Sequence, residues 1–195
     1  MNTDNIERYL NSFGAEIVAN AKRNLQVAGK GGGKLEQSIK FNVVKNESGF
    51  SVEFSMVDYG TYVDKGVKGA GGTIKSGDHK GTWGGRRWYI TWEGKRKDSP
   101  YKFGTGTGKK GGMRKGIGSF IRKKGLQPRS EGGQFMTTAG LRTAIMRVLW
   151  IKGIHGISFF QKSLMLGMQD FGQDMAKELK EDILDSLKTY KITVG

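Results

Sequence analysis

Residues 59–72, "YGTYVDKGVKGAGG", change character halfway. The stretch opens with aromatic and β-branched residues suited to packing and closes on glycines that can pack almost nothing. Either Tyr59, Thr61 and Val63 continue a sheet, or Tyr62 and Val63 open a short helical turn at a sheet edge; periodicity does not separate the two. In both readings Gly66 ends the element. Residues 66–87 then carry so much glycine that holding them rigid costs more backbone entropy than their few side chains offset. The expectation is a mobile loop that orders only against another surface.

Upstream of the junction the pattern is regular. Ile6, Leu10, Phe13, Ile17, Ala21 and Leu25 recur at steps of three and four, which predicts an amphipathic helix with Asp4 as N-cap and Glu7 three residues on. The pattern stops at the glycines of "VAGKGGGK". "QSIKFNVV" places Ile39, Phe41 and Val43 on one side of a strand, and "GFSVEFSMV" places Phe50, Val52, Phe54 and Met56 on one side of another. The turn-rich "KNESG" between them makes an antiparallel hairpin.

Downstream, "RRWYITWEG" reads as a strand with Trp88, Ile90 and Trp92 on one face. Those rings beside Arg86 and Arg87 resemble a stacking platform for single strands, but alternate large apolar residues on a strand are usually core, and core is the preferred reading. A basic, glycine-rich insertion follows over 94–140. Within it "IGSFIRKKGL" is expected to be a short helix with Ile117, Phe120 and Ile121 inward. "TTAGLRTAIMRVLWIKG" is helical, with Leu141, Ile145, Val148 and Leu149 as its apolar set and Gly153 as its stop. Ser158 and Gln161 suggest a capping box, after which Phe160, Leu164, Met168, Phe171, Met175, Leu179, Ile183 and Leu187 form one long stripe expected to cover the sheet. The fold class that results is α+β: a small antiparallel β-sheet packed by an N-terminal and a long C-terminal amphipathic helix, with glycine-rich basic insertions, in a single domain 1–195.

Composition agrees with this economy of core. Apolar residues are 36% of the 195, and the 32 glycines are about twice the usual share of roughly 7%. Without cysteine, disulfides and thiolate metal sites are excluded. No apolar run reaches the roughly 20 residues of a membrane span and no signal-peptide pattern opens the chain, so the chain is expected to stay in the cytoplasm where it is made.

Net charge is +15, which favours a polyanionic neighbour. Residues 95–129 hold 12 basic side chains (Lys95, Arg96, Lys97, Lys102, Lys109, Lys110, Arg114, Lys115, Arg122, Lys123, Lys124 and Arg129) against Asp98 alone. Residues 170–190 reverse the sign, with six acids against three lysines. Opposite patches of this kind let like copies meet head to tail, and a ring is one way to satisfy that.

No chemistry stands out. "GTGKKG" matches a dinucleotide fingerprint only formally, since "SPYKF" and "MRKGIG" are poor flanks for the strand and helix that the motif needs, and "GTGTGKK" lacks the spacing and the final Ser or Thr of a P-loop. His79 and His155 are far apart, and one His beside Asp78 is too little for a metal. A turn histidine capping a carbonyl is the reading for His155. Glu53, Asp58 and Asp64 are explained by salt bridges to the many lysines rather than as an acid and base pair. The chain is read as a non-enzyme with no cofactor.

The order of parts resembles the neck and tail-completion, or head–tail joining, proteins of tailed bacteriophages. In that family an aromatic, small, x, Tyr, Val, acid, x, Gly segment follows the strand hairpin, and Tyr59, Tyr62, Val63, Asp64 and Gly66 match it here. An aromatic, often after proline, opens the family's last helix; Phe159 and Phe160 occupy that place, with Ser158 where proline is common. The insertion is longer and more basic than the usual form. The resemblance implies a ring-forming virion subunit between the portal vertex and the tail tube, partnered by copies of itself and by portal, adaptor and tail-tube proteins, near the passing genomic DNA and away from membranes. Its loops would order on neighbouring subunits. The basic middle would dock on an acidic face of a neighbouring ring or approach DNA, docking being preferred. A competing class is a free-standing, sequence-independent nucleic-acid-binding protein that uses the same basic region; an accessory protein of a ribosome or enzyme fits composition alone.

Overall fold

The structure, a computed structural model, describes residues 3–47, 49–75, 77–103, 112–127 and 137–189, without the side chains of 188 and 189. The chain is α+β and divides into two compact units. Unit 1 comprises Met1–Asp64, Ile90–Arg96 and Ile157–Gly195; unit 2 comprises Lys65–Tyr89 and Lys97–Gly156. The boundary falls inside the quoted stretch, between its firm half and its glycines.

Unit 1 is built on α1 (Asp4–Val27), whose Ile6, Leu10, Phe13, Ile17, Ala21 and Leu25 are all buried, as the spacing predicts. A short α2 (Lys34–Ser38) follows, then β1 (Lys40–Asn46) pairs antiparallel with β2 (Gly49–Ser55), Phe41 opposite Phe54 and Val43 opposite Val52. Ile39 lies at the end of α2 rather than in the strand, and it joins Ala21, Leu25, Leu35 and Phe159 in the core. The ambiguous "YGTYVD" is helical: α3 spans Gly60–Lys65.

The C-terminal stripe is not one helix. It breaks into α6 (Phe159–Gly167) and α7 (Phe171–Thr189), with Gly167, a poor helix former, at the end of the first. Phe171 turns onto α1, its ring 4.8 Å from that of Phe13. Further along, the residue of α7 that seals against α1 is polar. Both carboxylate oxygens of buried Asp182 accept from the α1 backbone, Asn5 N–H and Ile6 N–H, each at 3.1 Å. This replaces the expected Asp4 cap; the N-cap position is Thr3, whose hydroxyl makes no cap bond and accepts instead from Lys45 Nζ at 2.9 Å. Leu179, Ile183 and Leu187 therefore do not cover the sheet and stay exposed.

The expected capping box at α6 is also redistributed. Asp64 Oδ1 accepts the N–H of Phe160 at 2.9 Å, so the cap comes from α3. Ser158, at φ 53°, instead accepts Ile90 N–H on its hydroxyl, and Gln161 Oε1 accepts Trp92 N–H.

Unit 2 is a set of short pairings. β3 (Val67–Lys68) pairs antiparallel with β8 (Gly153–Ile154), and β4 (Gly72–Ile74) with β5 (Gly81–Trp83). β6 (Trp88–Ile90) and β7 (Arg96–Asp98) form a further two-stranded sheet. α4 (Gly112–Lys123) packs on α5 (Thr138–Lys152), burying Ile117 and Ile121 while Phe120 stays exposed. Of α5, Leu141, Ile145, Val148 and Leu149 are half-buried, Ile151 is buried, and Gly153 stops the helix at φ 79°.

The glycines of 66–87 are not a loose loop. Gly69 N–H donates to Gly85 O, Ala70 N–H to Trp150 O and Gly71 N–H to Ile151 O, at 2.8, 2.8 and 3.1 Å. Glycine is needed there because backbones approach too closely for a side chain. A Cβ at Gly69 would stand 2.2 Å from Ile151 O, and one at Gly153 2.4 Å from Val67 O. The entropy of ordering these glycines is offset by backbone hydrogen bonds and burial within the unit, which the sequence pattern alone does not display.

Two outcomes test this packing. Asp64→Ala should lose about 1–2 kcal/mol in chemical denaturation, whereas exposed Asp58→Ala should stay within about 0.5 kcal/mol. Gly69→Ala should cost more than about 2 kcal/mol, and Gly33→Ala, with open space around it, less than about 1 kcal/mol.

Candidate interaction surface

The two units divide the charge unequally. Unit 2 holds 19 Lys and Arg against three Asp and Glu, a balance of +16, and unit 1 holds 14 against 15, a balance of −1. The net positive charge of the chain therefore resides in unit 2.

Its most concentrated expression is the α4–α5 pair. α4 uses Ile117 and Ile121 against α5, and carries Arg114, Lys115, Arg122 and Lys123, all exposed, with Lys124 exposed just beyond its end. α5 adds Arg142, Arg147 and Lys152, and neither helix contains an acid. Sequence reading closed the basic region at Arg129 and missed these three, although the absence of acids in "LRTAIMRVLWIKG" was a visible signal. Lys97 on β7 and Lys102 are exposed in the same unit, while Lys95 and Arg96 belong to unit 1. Lys95 is partly neutralised by Glu93 at 3.0 Å. Lys109, Lys110 and Arg129 lie outside the described residues.

Between β4 and α5 lies a cavity of about 560 Å³. Ile74, Ala139, Ala144 and Val148 supply apolar walls, and Lys75 and Arg147 are its cations. Nearby, Lys152 sits over the Trp83 ring at 3.6 Å and 3.1 Å from His79 Nδ1, while Trp83 Nε1–H donates to His79 O. This contact ties the β4–β5 hairpin to α5. His155 rests its ring edgewise against Trp88, 5.4 Å away. Among the described residues, no three His, Asp or Glu converge to hold a metal ion.

The strand "WYI" turns its alternation the other way from expectation: Tyr89 is the buried ring, with Lys65 over it, and Trp92 is exposed. The packed rings are thus fewer than the pattern implies, because the strand ends at Ile90 before Trp92 is reached.

The residues of "YGTYVDKG" and the Phe159–Phe160 pair fall into two groups. Val63, Asp64, Phe159 and Phe160 meet in unit 1: Asp64 accepts Phe160 N–H, Phe159 is fully buried, and Phe160 packs edgewise on Phe54 at 5.3 Å. Asp64 is thereby a capping carboxylate. Gly66 is held at φ 73° where a Cβ would stand 2.6 Å from Ile154 O. Tyr59 and Tyr62 are exposed, at 45% and 42%.

Unit 1 carries a local acidic surface near the α6–α7 junction. Burial, then the fields of Asp174, Glu16, Glu178 and Asp170, raise the Tyr9 phenol above its ordinary pKa. Among the described residues no helix is long and apolar enough to cross a membrane.

Reversing Lys115, Arg122 and Lys123 to Glu should shift elution from a heparin column to clearly lower salt, with the melting midpoint moved by less than about 2 °C, because all three are exposed. Unchanged elution would show that α4 contributes nothing to binding of a polyanion.

Searches with protein-family models, among curated proteins and among solved structures find no match to this chain.

Proposed function

We propose that the protein is a non-enzymatic structural subunit of the head–tail joint of a tailed bacteriophage, a neck or tail-completion protein that works as a ring in the virion. The observation that carries the reading is the meeting of the two motif halves. The "YVD" segment ends in the carboxylate that caps the helix opened by Phe159 and Phe160, about 95 residues later in the chain. A sequence pattern of aromatic, Tyr, Val, acid and a distant aromatic pair has a physical reason to travel together when the acid supplies the helix cap.

The uneven charge gives that scaffold its role. Unit 1 is close to neutral, and unit 2 at +16 suits an acidic face of a neighbouring ring, where complementary potentials set orientation and speed docking. The surface is already folded in the single chain, so docking does not require its glycine-rich segment to order at the moment of assembly. Portal or adaptor proteins and tail-tube proteins are the partners this role calls for, with genomic DNA passing nearby.

A second reading, sequence-independent binding of nucleic acid by unit 2, draws on the same charge. It requires purified protein to bind duplex or single-stranded DNA at micromolar levels or tighter, weakening steeply with salt.

Removing positive charge at Lys109, Lys110, Arg114 and Lys115 should leave filled heads and finished tails unjoined in the infected cell, counted by electron microscopy. Normal infectious particles built with that variant would contradict the docking role.

A further inference from the structure

We propose that unit 2 binds single-stranded nucleic acid at the C-terminal end of α5, with bases stacked on Trp150 and Trp83 and phosphates held by the cations around them. This rests on the nucleic-acid reading of unit 2, not on the ring assignment, and names the form of nucleic acid and the residues that meet it.

Two tryptophans flank the end of that helix without being buried there. Trp150 and Trp83 are 44% and 36% exposed. Both rings are nonetheless held in place. Phe103 stacks on Trp150, with ring centroids 6.0 Å apart and planes at 24°. Trp83 Nε1–H donates to His79 O at 3.2 Å, and Lys152 lies over the Trp83 ring at 3.6 Å. The backbone brings the two tryptophans near each other: Ala70 N–H donates to Trp150 O, Gly71 N–H to Ile151 O, and Gly72 stands opposite Trp83 in the β4–β5 pair. An exposed ring held in this way adds little to a core, yet it offers a flat face that needs no ordering when a ligand arrives.

The surroundings are cationic. α5 carries Arg147 one turn before Trp150 and Lys152 at its end, and contains no acid. The β4–β5 hairpin supplies Lys75 and Lys80 against Asp78 alone. Carbonyls at the end of α5 that would repel a phosphate are occupied by the N–H groups of Ala70 and Gly71. Such cations suit any polyanion, and the rings decide between them. An acidic protein face offers carboxylates with no flat partner for a tryptophan. Duplex DNA keeps its base faces inside its own stack. A single strand presents phosphates and unstacked bases together, and aromatic platforms beside a basic track grip it without regard to sequence. A second copy of unit 2, at +16, is repelled by like charge.

The test compares three probes on the full-length chain at one salt concentration: oligothymidylate, a duplex of the same length, and polyglutamate. Oligothymidylate should bind about tenfold more tightly than the duplex and should quench tryptophan emission. Trp150→Leu should weaken oligothymidylate binding about tenfold, Trp150→Phe should recover most of that loss, and neither should change the salt dependence or the affinity for polyglutamate. Duplex binding as tight as single-strand binding, or unchanged oligothymidylate affinity in Trp150→Leu, overturns the platform and leaves sequence-independent binding by unit 2 standing. Polyglutamate affinity equal to that of oligothymidylate, and equally weakened in Trp150→Leu, overturns it in favour of an acidic protein partner. Wild-type protein that binds neither nucleic acid overturns the platform and the nucleic-acid reading together. Should Trp150→Leu fail to fold by circular dichroism, Trp83→Leu takes its place with the same expected loss, and the wild-type chain still decides: oligothymidylate that leaves tryptophan emission unchanged overturns the proposal.

Discussion

The structure depends on one continuous passage of backbone, from Val63 to Lys68, that is paired twice within a few residues. In unit 1, Val63 O and Asp64 O accept the N–H groups of Ile157 and Ser158, and the Asp64 carboxylate accepts that of Phe160. In unit 2, Val67 and Lys68 pair with Ile154 and Gly153. Both pairings bring distant chain together, so each unit is closed by the same two segments. Gly66 stands between them because only a residue without Cβ fits at φ 73° beside Ile154 O.

This passage explains why the quoted stretch reads as two things at once. Its aromatic half makes a helix that caps another helix, and its glycine half makes backbone-to-backbone contact. Glycine abundance is usually taken as a sign of slack, yet here several glycines are sites of closest approach, where the hydrogen-bonding groups of Gly69, Gly71 and Gly85 reach partners that a methyl would hold away. The polar residues follow the same logic. Asp182 and Asp64 are both buried and both spend their oxygens on helix N-termini, where a carboxylate satisfies orphan N–H groups and meets the positive end of the helix dipole.

What could be read in advance was what is local and periodic. The burial of α1 follows from residues three and four apart, and the β1–β2 register follows from alternation on either side of a tight turn. What could not be read was set by contacts distant in sequence. Asp182 caps α1 from 176 residues away, so the local candidate Asp4 looked sufficient. The division of the C-terminal stripe was hidden because Leu179, Ile183 and Leu187 keep helical spacing whether or not anything covers them. For the basic surface, the concentration of charge was plain in composition, but its assignment to one unit, and the membership of Arg142, Arg147 and Lys152 in it, needed the fold. The capping bond joins "YVD" to the Phe159–Phe160 pair, far apart in the chain, another contact that local pattern does not display.

The account's central claim is that the glycine-rich stretch is a built part of the free protein, fixed by its own backbone pairings before any partner is met. Amide hydrogen exchange on the isolated chain, resolved by residue, tests it most directly. The account predicts that the N–H groups of Lys68, Gly69 and Gly71 are protected to a degree comparable with those of Ile157 and Phe160. Exchange of the first three at the rate of an open chain, with the last two still protected, would contradict it.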